Sequence, residues 1–131
     1  MPITEEQRQN RRNHIGSSDA AAILRADPWK TAYDVWLEKL GMLVDMPESE
    51  AMALGNMVEN PLLDWAAKEL DYQIEKNVFR VGPGEILAAN HDALVIGKPE
   101  GLEAKTSGLM SGHVRDEWGE QGTDQVPDHV I

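Results

Sequence analysis

The feature that most constrains the fold is a change in residue pattern near position 71. Before it, apolar residues recur at helical spacing. After it, residues 72–81, 85–96 and 101–106 form three strand-like runs separated by the turns GPG and GKPEG. Helices followed by strands predict an α/β (α+β) domain, and we expect its C-terminal part to be missing or unfinished in this sequence.

The helical half has recognisable start signals. Residues 17–25 (SSDAAAILR) predict a short helix with Ser17 or Ser18 as N-cap. Thr31 followed by Asp34 has the spacing of a capping box and predicts the start of a second helix.

A longer apolar pattern covers residues 50–70, with Pro61 inside it. Pro61 either kinks one helix or begins a second one at its first position, and the pattern leaves both open. Three tryptophans, Trp29, Trp36 and Trp65, are expected to pack in the core.

A chain of 131 residues without cysteine is expected to form a single domain with no disulfide, iron–sulfur cluster or cysteine–zinc site, and a cytoplasmic location. No apolar run approaches the ~20 residues that span a bilayer, so no membrane partner is expected. Within residues 1–131, the expected parts are an N-terminal helical part (1–45), a core (50–106), and a loop with the start of a helix (107–131).

The net charge of −11 argues against a protein that simply coats DNA. Residues 1–39 carry six basic and six acidic side chains, so all of the net charge lies in residues 40–131. Those carboxylates either form a solvated surface or cluster around a metal ion, and composition does not distinguish the two.

An acid and an amine lie two residues apart in the third strand-like run. Glu103 and Lys105 would leave a strand on one face, while Leu102 and Ala104 face the core. The turn GKPEG separates this run from Asp92, which lets adjacent strands bring the carboxylates of Asp92 and Glu103 to about 5 Å. The alternative is an ordinary ion pair on a solvated strand.

Two carboxylates at that distance repel each other, and a hard cation such as Mg²⁺ relieves the repulsion through oxygen ligands. Such an ion lowers the pKa of a bound water and stabilises charge on a phosphoryl oxygen. Lys105, on the same face, is placed to orient that water, and Glu59 on the preceding helix is the candidate third acid.

The order Asp, then Glu-x-Lys, resembles the PD-(D/E)xK nuclease motif. The stretch RRNHIGSSDAAAIL…DPWKTAYDVWLEKLG, followed by GNMVEN, resembles the opening of the YqaJ-type viral recombinase family, relatives of phage lambda exonuclease. The resemblance runs in register over residues 8–106 and implies a restriction-endonuclease-like core.

Carried over residue by residue, the resemblance implies that Asp92, Glu103 and Glu59 are metal ligands and that Lys105 is the catalytic lysine. The implied cofactor is Mg²⁺, with Mn²⁺ as a substitute.

The resemblance also implies a pocket for the 5′-phosphate of DNA. Its residues fall on Arg11 or the neighbouring Arg12, on Ser18, and on Asn90 at a family serine position. A helix N-terminus beside a guanidinium is an anion site on physical grounds. A solvated arginine pair is the alternative.

The implied function is a Mg²⁺-dependent 5′–3′ exonuclease that acts on ends of linear double-stranded DNA in phage-type recombination. A ring-shaped homo-oligomer and a single-strand annealing protein are the implied partners. A related endonuclease or nickase, and a non-catalytic module that binds DNA or protein, stay open as alternatives.

Two departures from the family pattern bear on activity. HDA at residues 91–93 replaces the usual Pro-Asp-Gly, so the local backbone is expected to differ. The family also places a glutamine-bearing helix after a segment that VPDHVI resembles, and the sequence stops about there. Whether this chain is active alone is therefore left open.

Overall fold

The computed structural model describes residues 4–43, 47–106, 118–120, 122 and 125–127. Four helices precede an antiparallel sheet, which confirms the predicted α+β class. The predicted loop and helix start over residues 107–131 lie mostly outside the described residues. The elements are α1 (Glu5–Asn13), α2 (Ser17–Ile23), α3 (Ala32–Lys39), α4 (Glu50–Glu69), β1 (Ile74–Val81), β2 (Ala88–Val95) and β3 (Gly101–Leu102).

Side-chain caps start the helices. The predicted capping box of α3 is confirmed, since the Thr31 hydroxyl accepts from the Asp34 amide and the Asp34 carboxylate accepts from the Thr31 amide. The predicted cap of α2 is wrong. Gly16 is the N-cap, because the Asp19 carboxylate accepts from the Gly16 amide at 2.9 Å and draws the chain into the helix one residue earlier.

Helix α4 runs continuously past Pro61, so no second helix starts there. The missing proline N–H leaves the carbonyl of Met57 without its helical donor. Met57 and Pro61 are both exposed, so that carbonyl lies on the side of the helix that faces water.

The sheet has the order β1-β2-β3, and one of its faces contacts α4 through Lys76, whose ammonium lies 3.5 Å from the carbonyl oxygen of Asn60. Lys76, Ala93 and Leu102 are partners across the three strands and therefore share that face. The Lys76 ammonium lies 2.6 Å from an Asp64 carboxylate oxygen of α4. The buried residues of this layer are Leu63, Ala67, Val78, Ala93 and Val95.

Two backbone features depart from regular strands. Asn77 has a φ of 55° and interrupts the β1–β2 ladder opposite Asp92. The third strand ends at Leu102, so the expectation that Glu103 and Lys105 lie within a strand is wrong. The chain leaves the ladder at the point where its side chains become acidic and basic instead of apolar.

The segment between α1 and α2 joins the helices to the sheet. Ile15 forms a parallel bridge with Leu87, through hydrogen bonds from Ile15 N to Ile86 O and from Ala88 N to Ile15 O. Helix α2 therefore starts beside the beginning of β2.

The expected core positions of the tryptophans are wrong. Trp29, Trp36 and Trp65 are 78%, 53% and 62% exposed. Val35, rather than the aromatic residues of α3, is the buried residue of that helix. Among the described helices, none has both the length and the apolar character that crossing a membrane requires.

Candidate functional site

Asp92 lies in β2, next to the segment that follows β3. Its Oδ2 atom accepts a 2.8 Å hydrogen bond from the backbone amide of Ala104, and its side chain is partly buried. Continuing the pairing Ala93↔Leu102 by one residue places Glu103 opposite Asp92. The structure therefore brings the Glu-x-Lys segment to Asp92, although the ladder has already ended.

Glu103 and Lys105 contact each other directly. The Lys105 ammonium lies 2.6 Å from Glu103 Oε1, and the two side chains are 46% and 52% exposed, respectively. An ion pair this exposed contributes at most about 1 kcal/mol to stability. It is therefore weak enough to rearrange when another cation or a phosphate arrives.

Glu59 belongs to α4 and is partly buried. The first half of α4 comes close to the Glu-x-Lys segment, since a Cβ placed on Gly55 would lie 3.3 Å from Thr106 Oγ1. Glu59 is one helical turn after Gly55. However, side-chain alternation puts Asp92 on the sheet face opposite Ala93, whereas the Lys76–Asp64 contact with α4 lies on the Ala93 face.

Within the described residues, no three His, Asp or Glu side chains form a group that could hold a metal ion. The structure thus brings the segment that carries Glu103 beside Asp92, and Glu59 does not complete a three-acid group with them. The chemistry of the donors still fits Mg²⁺, which commonly binds one or two carboxylates and keeps several waters. The four catalytic and metal-binding assignments stay predictions.

The two arginines predicted to bind phosphate lie in the last turn of α1 and are exposed. The carbonyl of Arg11 accepts a hydrogen bond from the Lys39 ammonium. The Arg12 guanidinium lies beside Gly41, since a Cβ placed there would be 3.5 Å from Arg12 Cζ. An open pocket of about 160 Å³ is lined by Arg12, Asn13, His14, Ile15, Lys39, Glu85 and Ile86.

Ser18 and Asn90, the other predicted phosphate ligands, are also exposed. Ser18 is the second residue of α2, and the Ile15–Leu87 bridge sets this helix start beside β2. Asn90 and Asp92 are two residues apart in β2, so their side chains lie on the same face of the strand, about 7 Å apart along it. These roles stay predictions as well.

Asp19 is a structural centre that was not predicted from the sequence. This residue is only 4% exposed, and its carboxylate accepts hydrogen bonds from Lys39 at 2.6 Å, from the Gly16 amide at 2.9 Å and from Lys30 at 3.2 Å. Burial by itself would raise the pKa of Asp19, but these hydrogen bonds together outweigh it and hold the pKa below its usual value. One signal was present in the sequence: a lone acid in the run SSDAAAILR, at the third position of a short helix.

The model of the YqaJ-like viral recombinase domain family matches residues 7–131. The chain belongs to the YqaJ-like viral recombinase domain family. The matched range includes Asp92 and the Glu103–Lys105 segment. It also includes α2 and all of α1 except its first two residues, and these helices carry the predicted phosphate ligands Arg11, Arg12 and Ser18.

A relative of this YqaJ-like chain occurs in Bacillus subtilis (strain 168), where it bears the name "Uncharacterized protein YqaJ". The two are 33% identical over an alignment of 128 positions, and the alignment covers 92% of this chain. The chain spans 37% of the length of that relative.

Proposed function

We propose that this YqaJ-like domain is a Mg²⁺-dependent nuclease that resects the 5′-terminated strand at ends of linear double-stranded DNA. The family supports a recombination-related nuclease as the general class. The observation that carries the finer proposal is the hydrogen bond between the Asp92 carboxylate and the Ala104 amide, because Ala104 lies between Glu103 and Lys105.

In this proposal Asp92 and Glu103 would hold the ion, and Glu59 would help to hold its waters. When bound, Mg²⁺ supplies a more acidic water and neutralises charge on the phosphoryl group. The Ala104 amide occupies one of about four lone-pair sites on the Asp92 carboxylate, so the others remain available to a ligand.

Lys105 takes part through its ammonium group. In the structure this group contacts Glu103 Oε1. With Glu103 holding the ion, the Lys105 ammonium would donate to the attacking water or to a non-bridging phosphate oxygen. A donor held at that place stabilises the charge that develops as the phosphodiester bond breaks.

The 5′-phosphate is proposed to lie near Arg11, Arg12 and Ser18, with Asn90 between this group and Asp92. Exposed guanidinium groups give bidentate hydrogen bonds to phosphate, which suits recognition of a strand end. Asn90 lies on the same sheet face as Asp92, about 7 Å away along β2. A DNA strand whose end is bound at Asn90 would therefore lie close to Asp92.

The test is degradation of 5′-phosphorylated linear duplex DNA, compared with covalently closed circular DNA, in Mg²⁺ and in EDTA. The proposal expects loss of the linear substrate in Mg²⁺ only, with the circle intact. Cutting of the circle would favour an endonuclease or nickase. No degradation of either substrate in Mg²⁺ would reject the nuclease.

A non-catalytic module that binds DNA or protein is the second candidate. Two observations favour it: no three-acid metal group forms among the described residues, and the Lys105 ammonium already contacts Glu103. This candidate expects binding to linear duplex without Mg²⁺-dependent cleavage.

A further inference from the structure

Charged residues from three sequence motifs form one network between the first three helices. Asp19 belongs to the IGSSD stretch, Lys30 to DPWK, and Glu38 and Lys39 to WLEK. Asp19 Oδ1 lies 3.2 Å from the Lys30 ammonium, and Asp19 Oδ2 lies 2.6 Å from that of Lys39. Lys30 also lies 2.5 Å from Glu38 Oε2. The proposed function assigns no role to these four residues.

The two lysines of this network connect different elements. Lys30 pairs with Asp19 of α2 and Glu38 of α3. Lys39 pairs with Asp19 and also donates to the carbonyl of Arg11, in the last turn of α1. A cation at that end of a helix satisfies an unpaired carbonyl and opposes the negative pole of the helix dipole. Lys39 therefore ties α1 to the start of α2.

A second contact from the end of α3 reaches the same turn. Gly41 has a φ of +69°, and its Cβ position lies 3.5 Å from the Cζ and Nη2 atoms of Arg12. A side chain here would be strained and would contact the guanidinium. The end of α3 thus meets both residues of the arginine pair, the backbone of Arg11 through Lys39 and the side chain of Arg12 through Gly41.

We infer that Asp19 and Lys39 are positioning residues for the 5′-phosphate: they hold the Arg11–Arg12 turn at a fixed place relative to Ser18. This inference rests on the proposed function. The physical basis is preorganisation, since a phosphate that meets already placed donors does not have to order the helices that carry them.

The alternative is a purely structural role, in which the whole network only stabilises the fold. Lys30 separates the two ideas, because it joins the same buried carboxylate but bonds α2 and α3. If the network is only structural, loss of Lys30 and loss of Lys39 are expected to change the affinity for DNA to the same extent. If Lys39 positions the arginine turn, its loss selectively weakens recognition of the phosphate.

The experiment measures fluorescence anisotropy of short linear duplexes in EDTA, with either a 5′-phosphate or a 5′-hydroxyl. The quantity compared is the ratio of the two dissociation constants, which cancels a uniform loss of folded protein or of backbone contacts. Wild type, Lys39→Met, Lys39→Arg, Asp19→Asn and Lys30→Met are compared at a temperature where circular dichroism shows them folded.

We expect wild type and Lys30→Met to share one preference for the phosphate, and Lys39→Met to lose about tenfold of it, or about 1.4 kcal/mol. Lys39→Arg keeps a cation that can donate to the Asp19 carboxylate and to the Arg11 carbonyl. This variant is therefore expected to retain most of the preference for the 5′-phosphate. Asp19→Asn keeps the shape but weakens the lysine contact, and it carries the test if Lys39→Met does not fold.

Three outcomes would overturn the inference. An unchanged preference in Lys39→Met and Asp19→Asn removes the positioning role and leaves the proposed function intact. An equal loss in Lys30→Met and Lys39→Met shows a structural role only. A wild type that binds both ends alike rejects the 5′-phosphate pocket itself, and the inference with it.

Discussion

The Asp92 carboxylate accepts a 2.8 Å hydrogen bond from the Ala104 amide, just beyond the point where the β2–β3 ladder ends. A side chain thus replaces the next backbone bond and keeps the chain beside β2. Because Ala104 separates Glu103 from Lys105, this one bond holds the backbone that carries both residues beside Asp92.

Asp92→Asn tests whether that carboxylate binds a metal ion. The asparagine oxygen can still accept from Ala104, so the segment is expected to stay in place while the charge is lost. Mutation of a residue that only hydrogen-bonds to a metal ligand already lowers the metal affinity by about 10–100-fold. Isothermal titration with Mg²⁺ or Mn²⁺ is therefore expected to show at least that loss.

Glu75→Gln is the matched control for the titration, because Glu75 pairs with Leu94 and so shares the sheet face of Asp92. Its metal affinity is expected to equal that of the wild type. Equal heats for Asp92→Asn and wild type, or none from the wild type, would contradict the metal site.

Leu63→Ala tests the α4 layer. Leu63 is 2% exposed beneath the sheet, and its truncation is expected to lower the free energy of unfolding by about 2–5 kcal/mol. Leu62, the next residue on the same helix, is 38% exposed, so Leu62→Ala is expected to cost about 1 kcal/mol or less. Urea unfolding measures both, and similar losses would mean that α4 packs differently.

Asp19 predicts a pH dependence of stability. Its folded pKa lies below its ordinary value of 3.8, because hydrogen bonds from Lys39, Gly16 and Lys30 outweigh the opposing effect of burial. The unfolded chain therefore binds the proton more readily. The stabilisation is fully present above about pH 4 and disappears as the pH falls through the folded pKa.

Asp19→Asn removes this titration. Its deficit in unfolding free energy is expected to be on the order of 3 kcal/mol near neutral pH and to shrink below pH 4. Glu69→Gln, at the exposed end of α4, serves as control. A deficit that stays constant down to the lowest pH at which the protein folds would show that the charge of Asp19 contributes nothing.

Local signals in the sequence predicted local structure well. The Thr31–Asp34 box and the order of helices and strands follow from contacts a few residues apart, and the structure has them. The end of β3 at Leu102 was not predictable in this way, because it depends on how Asp92 holds Ala104 across the sheet. The left-handed Asn77 opposite Asp92 likewise gives no pattern in a strand-like run.

The charge network around the buried Asp19 and the exposed tryptophans escaped prediction for a common reason. Asp19, Lys30 and Lys39 come together only after three helices have packed, so no spacing reveals them. The tryptophans were expected inside because they are apolar. That rule works in one direction only, since much of a folded surface is apolar as well.

The most direct test of the account is a gel assay of Lys105→Ala on 5′-phosphorylated linear duplex in Mg²⁺, with Lys68→Ala, on the exposed side of α4, as matched control. The account predicts that Lys105→Ala keeps the wild-type melting curve and loses about 10²–10³-fold in rate, while Lys68→Ala degrades DNA like the wild type. Degradation by Lys105→Ala at the wild-type rate would contradict the assignment of the nuclease centre.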